Sequence, residues 1–317
     1  MKAKSLVTAL KWLWIAAVIA AATFYLVNNW ESMHQYLSSV SLGNLLAAGV
    51  LLVIGKLLLV ILSRWSLHSE GFAFGFSTLF QIVALSQLGK YIPGGVWHFL
   101  GRINMYKEQE VSLKKSTRAL IIENVWLLGG ALAVGLAAGL LSPQVLALFA
   151  QIGLQISSIT GTFLAAAVFI LWFGALMLFD RIFRLHGKKA ETRRVLQVML
   201  LQTLTWACLG GSFALLWPQF AVENIPLAIC VYSLSWSVGY VAIFAPGGIG
   251  VREGMLTWLL SGVLAAPQAL ALSTVHRFLY IGVEILMGLA SLALLFSARL
   301  KNRSAKPGNE SNPAAAP

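Results

Sequence analysis

The stretch Ala245-Pro246-Gly247-Gly248-Ile249-Gly250-Val251-Arg252-Glu253-Gly254 interrupts an apolar segment that would otherwise read as one membrane helix, and Gly89-Lys90-Tyr91-Ile92-Pro93-Gly94-Gly95-Val96-Trp97-His98 interrupts another. Proline lacks the N–H that helix continuation needs, and paired glycines lower helix propensity further, so neither string continues a regular helix. Pro93 and Pro246 lie 153 residues apart, and the elements around them pair at nearly that offset. Residues 12–27 pair with 161–179, residues 42–62 with 195–217, and the helix carrying Glu123 with the one carrying Glu284.

Working outward, apolar runs of about 20 residues, the length of one bilayer crossing, recur along the chain. The 317 residues are 58% hydrophobic and only 11% charged, against about 25% in soluble domains. No stretch between the runs is long enough for a separate soluble core. The net charge of +12 would suggest nucleic acid in a soluble protein, but here the basic residues cluster in short loops, as the positive-inside rule requires, and no nucleic-acid partner is expected. Lys2, Lys4 and Lys11 place the N-terminus inside, and Arg299, Lys301, Arg303 and Lys306 place the C-terminus inside. Arg181, Arg184, Lys188, Lys189, Arg193 and Arg194 mark the clearest cytoplasmic loop. Lys56 lies in the inner half of its helix, where its stem can snorkel to the interface.

If residues 72–88 crossed once, the basic loop with Arg102, Lys107, Lys114, Lys115 and Arg118 would face outside. A re-entrant pair of half-helices resolves that conflict. The expected fold is therefore all-α and polytopic: an inverted-topology repeat of about three transmembrane helices plus one broken re-entrant hairpin per half. The halves span about 12–141 and 161–297 of one membrane domain, 1–297, and residues 298–317 form a disordered cytoplasmic tail. Residues 28–41 read as an outer loop, and residues 142–160 as a segment lying on or dipping into the outer surface. Trp12, Trp30, Trp65 and Trp217 read as interface anchors. Cys208 and Cys230 read as two buried thiols, with a disulfide left open.

Broken helices expose backbone N–H and C=O groups within the bilayer, where only protein or a water-filled cavity can satisfy them. Half-helix N-termini also favour anions. Lys90, His98, Arg102, Arg252 and Arg277 lie near the two turns, so cations, helix ends and the glycine backbones of Gly94, Gly95, Gly247, Gly248 and Gly250 suit a phosphate or another anionic headgroup. Glu123, Glu253 and Glu284 are intramembrane acids and candidates for proton coupling. The equal alternative is structural pairing, Glu123 with Arg118 or Arg102 and Glu284 with Arg277 or Arg252. Arg252 and Glu253 are sequence neighbours and face two ways on a helix. His98 reads more readily as a satisfied interior histidine than as a proton relay. No catalytic triad, nucleotide loop, metal spacing or cofactor site is evident, so the chain reads as a non-enzyme.

Gln87-Leu88-Gly89-Lys90-Tyr91-Ile92-Pro93-Gly94-Gly95 with Arg102, and the motif of residues 245–254, resemble the lysylphosphatidylglycerol synthase transmembrane, or flippase-like, family over about residues 10–297. The second motif is the more specific, for the first has Val96-Trp97-His98 where the second has Ile249-Gly250-Val251. The resemblance implies movement of a lipid or lipid-linked molecule between leaflets and points to Pro246, Gly247, Gly248, Gly250, Arg252, Glu253 and Gly254, and less firmly to Lys90, Pro93, Gly94, Gly95 and Arg102. Only a short tail follows Phe296, so lysyl transfer is expected to be absent. The leading expectation is a flippase-like transporter in a bacterial or archaeal plasma membrane, acting on an anionic phospholipid or a polyprenyl-phosphate-linked glycan. The alternative is a non-transporting partner or regulator of a glycosyltransferase or envelope-biogenesis enzyme, with its basic cytoplasmic loops as the contact surface.

Overall fold

The computed structural model describes residues 27, 30–92, 96–183, 191–218, 220–242 and 244–304. The expected first helix falls almost wholly outside this set, as do Pro93, Gly94 and Gly95, residues 184–190 of the basic loop, and residues 305–317 of the tail. The described residues form eleven α-helices and no strand. They are α1 (Trp30–Ser39), α2 (Leu42–Ser69), α3 (Phe76–Leu88), α4 (Trp97–Lys107), α5 (Leu113–Leu140), α6 (Pro143–Gln151), α7 (Ser158–Phe183), α8 (Thr192–Ala214), α9 (Ile225–Val241), α10 (Val251–Leu260) and α11 (Ala266–Ser304).

Local chemistry sets many of these bounds. The Ser41 hydroxyl accepts from the Asn44 backbone N–H at 3.0 Å and so caps α2. Ser142 accepts from the Val145 N–H at 3.4 Å, with Pro143 in the first turn, where its missing N–H is harmless. The segment read as an outer loop contains α1, held to the bundle by the buried Tyr36, whose hydroxyl donates to the Leu216 carbonyl at 2.8 Å. The segment after Leu141 folds as α6, far too short to cross a bilayer. Helix α11 continues through Ser304, so residues 298–304, assigned to a tail by composition, belong to it.

Six spans are long and apolar enough to cross a membrane: Leu42–Ser69, Leu113–Leu140, Ser158–Phe183, Thr192–Ala214, Val222–Val241 and Ala266–Ser297. A short 3-10 turn, Val222–Asn224, lengthens α9 into the fifth of them, so the segment before the second Pro-Gly-Gly turn has the length of a full crossing. By contrast α3, α4 and α10 have 13, 11 and 10 residues, well under the ~20 needed. From α2 to α5 the helices run long, short, short, long, whereas from α8 to α11 they run long, membrane-length, short, long, so the two halves differ at α3 and α9.

The main apolar core lies among α2, α5, α8, α9 and α11, with Trp206, Phe213, Tyr232 and Leu209 buried in it. Membrane helices approach closely through small residues. A Cβ on Gly210 would lie 2.6 Å from the Ile229 Cα, and one on Gly139 would lie 2.8 Å from the Cys230 Sγ. Cys208 and Cys230 are both free thiols. Trp217 is buried edge-on against Phe213, which makes it a core residue rather than an interface anchor. Phe163, Ile170 and Leu171 on α7 are about 70% exposed, as befits a face turned to lipid. A second, smaller core of Val60, Leu67, Leu79, Ile82, Tyr106 and Leu120 seats the short pair α3 and α4 against α2 and α5.

Candidate functional site

The two interrupted segments meet inside the bundle. The turn Gly89–Tyr91, which ends α3, packs against the turn Pro246–Gly248, which precedes α10. The backbone of the second turn depends on glycine. Gly247, Gly248 and Gly250 have φ of 59°, 72° and 84°, the left-handed region that side chains disfavour. A Cβ on Gly248 would also lie 3.0 Å from the Gly239 carbonyl oxygen. A Cβ on Gly247 would lie 3.7 Å from the Tyr91 ring.

Around this meeting point lies a cavity of about 410 Å³ whose walls include Lys56, Lys90, His98, Arg102, Arg252 and Arg277. Helix α2 supplies Lys56, α4 supplies His98 and Arg102, α10 supplies Arg252, and α11 supplies Arg277. Glu123, Asn124, Trp206, Trp236, Tyr240 and Tyr280 complete the polar and aromatic lining. Val96 and Val241 line it as well, and both are substantially exposed, so part of the wall reaches the apolar outer surface.

The charges are organised into groups. Glu284, on α11, accepts from Lys56 and from Lys90, the latter at 2.5 Å, while its second oxygen accepts from the Tyr91 hydroxyl at 2.5 Å. Lys56 also reaches the Tyr280 hydroxyl, with its ammonium 3.8 Å from that ring's centroid. Glu123 pairs with Arg102 at 2.5 Å and accepts from the Ser63 hydroxyl at 2.7 Å. Arg102 Nε donates to the Ser86 hydroxyl at 3.2 Å. Glu253 accepts from the Gly250 N–H at 2.8 Å, which caps α10, and lies 3.6 Å from Arg277 Nε. Arg277 donates to the Gly247 carbonyl at 2.6 Å. The Arg252 guanidinium lies 4.5 Å from the Tyr232 ring centroid and 5.3 Å from that of Tyr280. Among the described residues no carboxylate comes within 4.0 Å of it.

Several expectations change in consequence. Lys56 does not snorkel; it is buried, because Glu284 and Tyr280 offer it partners inside the bundle. Glu284 pairs with two lysines rather than with Arg277 or Arg252. Of the two partners open to Glu123, Arg102 takes it, while Arg118 pairs with Glu70 at 2.7 Å. Arg252 and Glu253 do face two ways. His98 is not a satisfied interior histidine: its ring packs at 3.9 Å on Phe99, and its Nδ1 has no hydrogen-bond partner among the described residues. Gly254 opens onto empty space and makes no close approach. The role of Pro93, Gly94 and Gly95 lies outside the described residues, and only the backbone turn of Pro246 can be described. Sequence reasoning missed Tyr280 and Tyr232, whose rings contact the cations, and the bond of Tyr91 to Glu284. A tyrosine four residues before Glu284, on the same helix face, was the available signal for Tyr280.

A bundle of membrane-length helices enclosing a cationic cavity at two broken segments defines an integral membrane protein with an internal polar site. The family described as "Lysylphosphatidylglycerol synthase TM region" matches residues 13–288, and the chain belongs to that family. A comparison with curated proteins gives no significant match.

Proposed function

We propose that this protein is a flippase-like carrier that moves an anionic phospholipid or a polyprenyl-phosphate-linked glycan between leaflets. The observation that carries the reading is the cavity wall itself: Lys56, Lys90, Arg102, Arg252 and Arg277 surround one space within a bundle of membrane-length helices. Ionisable groups at such depth are costly and mark ion or substrate pathways. The exposed Val96 and Val241 at the wall suit a ligand whose headgroup enters while its hydrocarbon chain stays in the bilayer.

In this reading the two halves form an inverted repeat, and the segments broken at Pro93 and Pro246 are re-entrant or half-crossing elements that rock about the shared cavity. The carrier makes and breaks no covalent bond. Glu123 and Glu284, each held by cations, keep the basic walls in place between transport steps. Leaflet exchange of fluorescent lipid and lipid-linked glycan in vesicles reconstituted with the purified chain tests the proposal. Exchange above protein-free vesicles, reduced at least tenfold by Arg252→Ala, is expected; equal rates with and without protein would overturn it.

A further inference from the structure

The distribution of charge around the cavity specifies more than the sign of the ligand. Five cations line it: Lys56, Lys90, Arg102, Arg252 and Arg277. Three carboxylates, those of Glu123, Glu253 and Glu284, face them among the described residues. Five basic side chains against three carboxylates leave two positive charges over. Their positions are identifiable. Arg102 is matched by Glu123, and Arg277 is matched by Glu253. Lys56 and Lys90 share the single carboxylate of Glu284, which leaves one charge there. Arg252 has no carboxylate within 4.0 Å among the described residues and leaves the other.

These two surplus charges sit against one side chain. The Tyr280 ring lies 3.8 Å from the Lys56 ammonium, 4.7 Å from that of Lys90, and 5.3 Å from the Arg252 guanidinium. All three cations and Tyr280 line the cavity. An uncompensated charge removed from water is strongly unfavourable, and the favourable answer is a counter-charge at hydrogen-bonding range. A phosphodiester brings one negative charge. A phosphomonoester brings nearly two at neutral pH, with three acceptor oxygens to distribute among separate donors. Arginine offers a planar fork to such a group, and lysine a point charge.

We propose that the site takes a doubly charged phosphate group, a phosphomonoester or a diphosphate, held between Arg252 and the Lys56–Lys90 pair across Tyr280. This rests on the reading of the cavity as the substrate site and narrows the headgroup that the site prefers. Phosphodiester headgroups fill only half of the surplus and bind more weakly.

Calorimetric titration of the purified full chain in detergent at about pH 8, where a phosphomonoester is doubly ionised, tests this. The probes are short-chain phosphatidate, phosphatidylglycerol and phosphatidylcholine, and inorganic phosphate. Phosphatidate is expected to bind at least about tenfold more tightly than phosphatidylglycerol, the scale of one charged hydrogen bond. Arg252→Gln and Lys90→Gln should each abolish that preference, and Arg252→Lys should keep it, which separates lost charge from lost folding. Equal affinity for the two lipids in the unaltered chain, or a preference that survives Arg252→Gln, would overturn the proposal. Inorganic phosphate binding as tightly as phosphatidate would support the doubly charged group and overturn a lipid as its source. A clear phosphatidate preference without leaflet exchange would sink the carrier reading and leave this one standing.

Discussion

Arg277 donates to the carbonyl of Gly247 at 2.6 Å, and this bond ties α11 to the second Pro-Gly-Gly turn. A charged donor on a buried carbonyl is worth about 1.5–3 kcal/mol. Arg277→Ala should therefore loosen the turn, with faster amide exchange over residues 247–250 by hydrogen-exchange mass spectrometry. Exchange equal to that of the unaltered chain would show that the turn is held by its own backbone.

Gly248 and Gly254 stand in one motif but under different constraints. Gly248 has φ of 72° and a backbone carbonyl 3.0 Å from where a Cβ would go, whereas Gly254 is helical and faces open space. Gly248→Ala should destabilise by about 1–3 kcal/mol, and Gly254→Ala should be neutral or stabilise by up to about 1 kcal/mol. Thermal unfolding in detergent distinguishes them, and a larger loss for Gly254→Ala would contradict the assignment.

The Arg102–Glu123 pair is buried, while in the Glu70–Arg118 pair the arginine side chain is 38% exposed. Removing one partner of the first leaves a buried charge and should cost about 3–5 kcal/mol, as Glu123→Gln. Glu70→Gln should cost less, because solvent reaches the Arg118 side of its pair although the Glu70 side chain is only 8% exposed. Comparable losses for the two substitutions would refute the difference in environment.

Glu284 serves Lys56, Lys90 and Tyr91 together, so its removal leaves two ammonium groups competing for one tyrosine hydroxyl. Glu284→Gln should be strongly destabilising, and Lys56→Met on that background should recover part of the loss. A double-mutant cycle should give a coupling of about 0.5–3 kcal/mol. Strict additivity would mean that the three groups do not act as a unit.

Much of the fold was legible because its signals are local. Apolar length marks membrane helices, and proline and glycine mark where they break. Some candidate cations could also be picked out, since Lys90, Arg102 and Arg252 lie close in sequence to the breaks, whereas Arg277 is 30 residues from Gly247. Local signals failed where a contact is remote. The outer loop contains α1, and nothing near Tyr36 announces a bond to the carbonyl of Leu216, 180 residues away. Trp217 stands at a helix end, where an aromatic reads as an interface anchor, yet the neighbouring helices bury it.

The sequence by itself determined that the chain is a helical membrane protein with two broken segments and an excess of basic residues beside them. Only the tertiary structure decided how those charges pair. Lys56 is 228 residues from Glu284 and Lys90 is 194, so no spacing rule joins them. They meet because α2, α3 and α11 pack together, and burial then rewards a carboxylate that can be shared. The same packing leaves Arg252 against aromatic rings with no carboxylate within 4.0 Å among the described residues. The two Pro-Gly-Gly strings had suggested where to look; it is the packing of the turn Gly89–Tyr91 against the turn Pro246–Gly248 that brings both segments to one cavity.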